Sequence, residues 1–152
     1  MMDERTNLKL VPLKNGKQWE LLEDYYYEVN GYIIKVPKGF ITDLASVPRA
    51  FWSIFPPAGK YTPAAIVHDY LYSEFNTTGI NRTLADKVFL FIMKELGVGF
   101  LKRNVMYKAV RSFGKTSWKK KLKNEGYIDT AVFDFSEEAV TYYERWHKLL
   151  KL

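Results

Sequence analysis

Short apolar and aromatic runs, separated by polar turn residues, dominate residues 8–36. The pattern predicts strands over residues 8–11, 19–22, 25–29 and 32–36. Asn15-Gly16 and Asn30-Gly31 follow the first and third runs, and Asn-Gly is the dipeptide most typical of a tight hairpin turn. The N-terminal part therefore predicts a β-meander.

Residues 37–61 contain four of the six prolines and predict an ordered loop, in which residues 46–52 could form a short helix. A loop of this length in a compact domain is usually functional. Thr62-Pro63 is typical of a helix start, with Thr62 as the N-cap, and this helix is expected to reach about Phe75.

The C-terminal half shows mainly helical periodicity. The predicted elements are helices over residues 81–96 and 100–113, a basic linker or frayed helix after Gly114, an extended segment over 127–135 and a last helix from residue 136. The whole pattern predicts an α+β fold in which the β-meander packs on a helical bundle.

A length of 152 residues fits a single domain. The chain has no cysteine, which excludes disulfides and thiolate metal sites. The net charge of +6 favours anionic partners without requiring one. Much of the excess lies in the run Lys115–Lys123 around Trp118, which could contact nucleic acid or an anionic membrane, or could be a solvated linker.

The polar N-terminus predicts no signal peptide, and no apolar run is long enough to span a membrane. Together with the absence of cysteine, these features favour a cytosolic protein.

The predicted first helix contains the sequence His68-Asp69-Tyr70-Leu71-Tyr72, the one segment that suggests chemistry. Tyr72 lies one turn after His68, whereas Asp69 points about 100° away and cannot orient the imidazole. Asp86 is the best partner, because it lies on the apolar side of the second helix, where an unpaired acid is unfavourable. That side is expected to comprise Leu84, Val88, Phe89, Ile92 and Met93.

Two interpretations of this cluster remain open from the residues alone. His68 and Asp86 could form a proton-transfer dyad, since an imidazole titrates near neutral pH. Alternatively, they form a buried polar network with Tyr72 that has only a structural role.

Several motifs resemble those of a small protein family of unknown function that is common in tailed bacteriophages and prophages. The resemblance covers about residues 25–114 and leaves residues 115–152 as an extension. It implies a viral origin and a location in the host cytoplasm or the virion, but no activity. The motifs are Gly39–Arg49, Gly59–Tyr61, Ala64–Tyr72, Asn81-Arg82, Ala85-Asp86, Met106-Tyr107 and Val110-Arg111.

A more distant resemblance is to the active-site helix of the secreted and viral phospholipase A(2) enzymes, through His68-Asp69-x-x-Tyr72. This resemblance implies that His68 is the general base for water, that Asp86 orients it and that Tyr72 supports the pair. The sequence lacks the cysteines and the glycine-rich calcium loop of those enzymes.

The same resemblance implies calcium. Asp69 would ligate the ion, and Asp43 with the Leu44 carbonyl could supply further oxygens, the donor type that Ca²⁺ prefers. Calcium would then polarise the ester carbonyl.

Other polar residues have simpler alternatives. Ser46 could be a nucleophile, although no Gly-x-Ser-x-Gly motif surrounds it and a turn or N-cap role is simpler. Arg82 is expected to pair with Asp86 at i,i+4 spacing. His147 is interpreted as structural. Four arginines could line an anion-binding pocket or support the acids: Arg49, Arg82, Arg103 and Arg111.

The leading hypothesis is a phage-encoded, calcium-assisted hydrolase that cleaves a phospholipid ester during host penetration or lysis. The alternative is a non-catalytic virion or host-interaction protein whose His/Asp/Tyr cluster is structural. The expected partners are a phospholipid membrane or other phage proteins; nucleic acid binding through the basic segment is a third hypothesis.

Overall fold

The computed structural model describes residues 7–29, 31–44, 59–76, 78 and 80–124, with side chains described up to residue 118. An antiparallel β region precedes three helices, so the predicted α+β class is confirmed. The strands are β1 (Leu10–Pro12), β2 (Trp19–Leu21), β3 (Tyr25–Val29), β4 (Tyr32–Val36) and β5 (Ile41–Thr42). The helices are α1 (Thr62–Leu71), α2 (Arg82–Glu95) and α3 (Phe100–Asn124).

The strands form two sheets instead of one continuous meander. β1, β2 and β5 make a three-stranded antiparallel sheet in that order, and β3 pairs with β4 as a separate hairpin. β5 lies inside the segment that the sequence predicts as loop. Its two residues form a strand only because they pair with Trp19 and Glu20 of β2, a contact that local sequence does not specify.

The β3–β4 hairpin has one buried face. Tyr25, Tyr27 and Val29 are buried on β3 while the residues between them are exposed, as the twofold period of a strand requires. The Tyr27 hydroxyl donates to Glu95 Oε2 at 2.8 Å, which links this hairpin to the end of α2. Gly31, in the turn, has φ +86°, a conformation that side chains rarely adopt.

Helix α1 lies between the strands and the other helices. It contacts β4 and β5 on one side and α2 on the other, and α2 contacts α3. Helices α1 and α2 both bury apolar faces. The five apolar residues expected on the inner side of α2 are all 0% exposed. Within the described residues, α1 therefore connects the strands to α2.

The ends of α1 differ from the prediction. Thr62 is the first helical residue instead of the N-cap, and its hydroxyl donates to the Gly59 carbonyl. The helix ends at Leu71, before the expected Phe75, because Asn76 Nδ2 donates to the free Leu71 carbonyl at 2.9 Å and caps the last turn.

The start of α2 agrees with the prediction. Asn81 is the N-cap, and its side chain accepts a hydrogen bond from the backbone N–H of Leu84 at 2.9 Å.

Helix α3 continues through Gly114 and into the basic stretch, so the predicted end near Phe113 is wrong. A Cβ at Gly114 would lie 2.8 Å from the Tyr72 hydroxyl oxygen and 3.1 Å from a ring carbon of Tyr72. Gly114 therefore permits the close approach of α3 to the end of α1. The glycine marks a packing contact and not a helix end.

Three predicted elements lie outside the described residues. They are the short helix over 46–52, the extended segment over 127–135 and the C-terminal helix from residue 136. The single-domain prediction for residues 1–152 stays a prediction. Within the part of the chain that the structure describes, no helix is long and apolar enough to cross a membrane.

Gly114→Ala is expected to destabilise the protein by about 1 kcal/mol, although alanine is the better helix former. The Tyr72 hydroxyl cannot move away freely, because it donates to Asp86 at 2.6 Å. Urea-induced unfolding measures the difference. Gly99→Ala is the control, since a Cβ at Gly99 meets no atom within 4 Å, and it should change stability little. A more stable Gly114→Ala variant would contradict the close contact.

Candidate functional site

The Asp86 carboxylate, which is 0% exposed, is the centre of a polar cluster between the three helices. His68 Nε2 lies 2.8 Å from Asp86 Oδ1, and the Tyr72 hydroxyl donates to the same oxygen at 2.6 Å. Arg111 Nη1 donates to Oδ2 at 2.8 Å. Both carboxylate oxygens are thus occupied by donors from two neighbouring helices.

The helical repeat explains why these groups meet. His68 and Tyr72 are one turn apart on α1, so both face α2, and their rings lie 4.3 Å apart between centroids. The ring of Phe89 on α2 contacts the His68 ring, with 4.8 Å between the ring centroids. Asp86 and Phe89 are three residues apart and share the face of α2 that packs against α1. The predicted contact between His68 and Asp86 is present.

Arg82 is the second cation of the cluster. Its Nε lies 4.0 Å from Asp86 Oδ2, at the predicted i,i+4 spacing, and donates to the Tyr72 hydroxyl at 3.2 Å. Its Nη2 donates to the Val110 carbonyl at 3.2 Å and to the Arg111 carbonyl. Arg82 therefore fastens α2 to the middle of α3 and orients Tyr72.

The cluster keeps Asp86 ionised. Burial by itself would raise the pKa of Asp86, but hydrogen bonds from His68, Tyr72 and Arg111 outweigh it and hold the pKa below its ordinary value. Burial and the hydrogen bond to Asp86 raise the pKa of Tyr72, so the phenol stays a proton donor. The hydrogen bond to Asp86 raises the pKa of Arg111 further above its ordinary range.

The ionised carboxylate fixes the tautomer of His68. Asp86 has no proton to donate near neutral pH, so the hydrogen between Nε2 and Oδ1 belongs to the imidazole. The lone pair of the neutral ring is therefore on Nδ1. Among the described residues, no hydrogen bond involves Nδ1, and the residue keeps 5% of its surface exposed. This arrangement orients an imidazole base by a buried carboxylate.

Asp69 lies on another face of α1, as its position in the helix predicts. The Thr42 hydroxyl donates to Asp69 Oδ2 and accepts from the Leu44 backbone N–H at 3.0 Å. Leu44 has φ +58°, a conformation that is costly for a residue with a side chain, and its side chain is buried. The Thr42 hydrogen bonds hold this turn against α1.

The oxygens proposed for calcium are fewer than this ion takes. Asp43 is exposed, Leu44 offers only its carbonyl, and Asp69 already accepts from Thr42. Among the described residues, no three His, Cys, Asp or Glu side chains form a group that could hold a metal ion. The segment 45–58 contains no acidic residue. Ca²⁺ takes about six to eight oxygens, so these residues do not form a complete calcium site.

The remaining candidates divide into two groups. Arg49 and Ser46 lie outside the described residues. Arg103 donates to the Val98 carbonyl at 3.0 Å and is not part of the cluster around Asp86. Of the two roles that the sequence suggests for the four arginines, an anion-binding pocket or support of the acids, Arg111 takes the second, because it makes a close ion pair with Asp86. The i,i+4 rule cannot find a partner 25 residues away.

Comparison with known proteins places the chain in a family. Residues 19–110 match the family described as "Protein of unknown function (DUF1353)", close to the range that its motifs indicated, so the chain belongs to this family. It is also similar to "Uncharacterized protein y4jT" of Sinorhizobium fredii (strain NBRC 101917 / NGR234). The two are 34% identical over 99 residues, covering 63% of this chain but 29% of the relative. No solved structure matches the chain significantly.

Asp86→Asn is expected to lower the free energy of unfolding by about 3 kcal/mol at neutral pH, since Arg111 and His68 lose a buried anionic partner. Because the pKa of Asp86 is lower in the folded state, its contribution is present above the unfolded pKa of about 4 and is lost as pH falls. Urea-induced unfolding between neutral and strongly acidic pH measures both effects.

The control is Asp24→Asn, which makes the same chemical change at an exposed ion pair with Lys35 and should cost little. The wild type should lose more stability than Asp86→Asn as pH falls below about 4. Parallel pH profiles for these two proteins would contradict an ionised Asp86 at the centre of the cluster.

Proposed function

We propose that the protein is a hydrolase in which His68 is the general base and Asp86 its orienting partner. The substrate we propose is an ester, specifically the acyl ester of a phospholipid. The proposal is based on the resemblance of the α1 motif to phospholipase A(2). The phage-type motifs suggest a role in host penetration or lysis. The family match itself carries no activity.

The observation that supports the proposal best is the orientation of the imidazole. Nε2 of His68 is held by Asp86, and Nδ1 has no hydrogen-bond partner among the described residues. A base with a fixed tautomer and an available lone pair can take a proton from water. The role of Asp86 would be to stabilise the imidazolium that forms.

In the proposed reaction, Nδ1 of His68 removes a proton from water while the water oxygen attacks the ester carbonyl carbon. In the tetrahedral intermediate, the bond between the carbonyl carbon and the alcohol oxygen then breaks. The alcohol oxygen takes the proton that Nδ1 removed from water. The products are a fatty acid and a lysophospholipid. Tyr72 and Arg111 would hold Asp86 in place and take no proton, because both keep their own protons near neutral pH.

A second function is supported by the fact that both carboxylate oxygens of Asp86 already accept hydrogen bonds. Its oxygens accept from α1 and α3, and Arg82 adds a further link between α2 and α3. A network so completely paired also suits a structural role. In that case the protein would be a non-catalytic virion component or a host-interaction protein, and the cluster would hold its helices together.

His68→Ala is expected to lower hydrolysis of phospholipid vesicles at least a hundredfold, because water is then left without a base. Fatty-acid release from phosphatidylglycerol and phosphatidylcholine vesicles measures the activity, and thermal unfolding measures the fold. The matched control is His147→Ala, which removes the other histidine of the chain.

Full activity of a folded His68→Ala protein, or no ester hydrolysis by the wild type, would contradict the hydrolase. The structural alternative predicts instead that His68→Ala lowers stability by about 3 kcal/mol, as for a broken buried pair, and that the wild type has no activity.

Calcium assistance is a separate part of the proposal. If Asp69, Asp43 and the Leu44 carbonyl supply part of a calcium site, millimolar calcium should raise the unfolding midpoint of the wild type through binding to the folded state. Asp43→Asn and Asp69→Asn should both lose this rise. The absence of a shift in the wild type would remove calcium and leave the His68–Asp86 mechanism untouched.

A further inference from the structure

Helix α3 carries the whole positive excess of the chain. Its 25 residues include nine Lys and Arg and no Asp or Glu, whereas the rest of the sequence has 14 basic and 17 acidic residues. A helix with cations and no anions cannot neutralise itself through i,i+4 pairs. It therefore presents a local positive potential that the net charge of +6 understates.

The same helix exposes large apolar side chains. Phe100 is 73% exposed, Leu101 76%, Val105 42% and Phe113 75%. Single exposed apolar residues are ordinary, but Leu101 and Val105 lie one helical turn apart and form a small apolar patch on a basic helix.

Two of the exposed apolar residues and two exposed lysines share a face. Leu101, Val105, Lys108 and Lys115 follow one another at spacings of four, three and seven residues, which places them along one side of the helix. All four are exposed, whereas Met106 on the opposite side is buried. We refer to Leu101, Val105, Lys108 and Lys115 as the outer face of α3.

The two arginines of α3 both make contacts within the protein. Arg111 pairs with Asp86, and Arg103 donates to the Val98 carbonyl. The cations on the outer face are therefore lysines, which act as hydrated point charges on flexible stems and bind phosphate without a fixed geometry. Such charges suit a surface of many phosphates better than one defined phosphate site.

We propose that the outer face of α3 binds the surface of an anionic phospholipid bilayer. The lysines would contact headgroup phosphates while Leu101 and Val105 enter the boundary between headgroups and acyl chains. The helix is about 36 Å long and could lie along the surface over most of its length. This binding needs no hydrolysis by His68 and goes beyond the proposed activity.

A bilayer fits this face better than a nucleic acid does. Nucleic acid also attracts lysine, but its unpaired bases stack on aromatic rings, and duplex grooves are contacted mainly by polar and basic side chains. Leu101 and Val105 have no aromatic ring on which a nucleobase could stack. Contacts with phosphates would not remove their apolar surface from water. Both gain from removal of apolar surface from water in a lipid interface.

The experiment measures binding of full-length protein to phosphatidylcholine vesicles, with and without phosphatidylglycerol, by co-sedimentation. All proteins carry His68→Ala, so that hydrolysis does not change the vesicles. Lys108→Gln/Lys115→Gln should weaken binding to anionic vesicles roughly 30-fold, at about fivefold per lysine. Leu101→Ser/Val105→Ser should weaken it roughly tenfold. Thermal unfolding checks that each variant folds.

The control is Lys14→Gln/Lys17→Gln, which removes two charges from the exposed turn between β1 and β2 and should leave binding unchanged. A short double-stranded DNA is titrated under the same salt conditions. The proposal is overturned if the protein does not bind anionic vesicles, if the control weakens binding equally, or if the apolar variant binds as well as its parent. It is also overturned if DNA binds more tightly than vesicles and depends on the same lysines.

Discussion

The Asp86 carboxylate is the constraint on which the arrangement of the helices depends. A charge that is removed from water must be compensated, and a 0% exposed carboxylate with an empty acceptor would be strongly destabilising. Its two oxygens require donors from specific directions, and His68 and Arg111 supply them from α1 and α3. The packing of apolar faces brings the helices together, but this polar requirement selects one register among the ways in which they could pack.

The same contacts that satisfy Asp86 also fix the orientation of the His68 ring. Because every partner of the carboxylate is a donor, the imidazole is held through Nε2, and Nδ1 has no hydrogen-bond partner among the described residues. Structural and catalytic roles therefore share one geometry, and the cluster alone is compatible with both. On another face of α1, the hydrogen bond from Thr42 to Asp69 ties the helix to β5, so α1 is fixed from the sheet side as well.

Helix α3 has different roles on its two sides. Toward the core, Gly114 allows the helix to approach Tyr72, and the charge of Arg111 is balanced by Asp86. On the outer face, Lys108 and Lys115 have no acidic neighbours within the helix, so their charge remains available to a partner. The division between a neutralised inner arginine and unbalanced outer lysines separates the site from the proposed membrane surface.

Local sequence determined much of this protein: the antiparallel strands, the Asn81 cap of α2 and the pairing of His68 with Asp86. These features depend on residues near each other along the chain or on one helical hairpin, where periodicity and capping preferences act directly. Only the tertiary structure decided that β5 joins β2, that α3 continues past Gly114 and that Arg111 completes the cluster. Each of these depends on contacts between segments distant in sequence, whose energies local preferences do not contain.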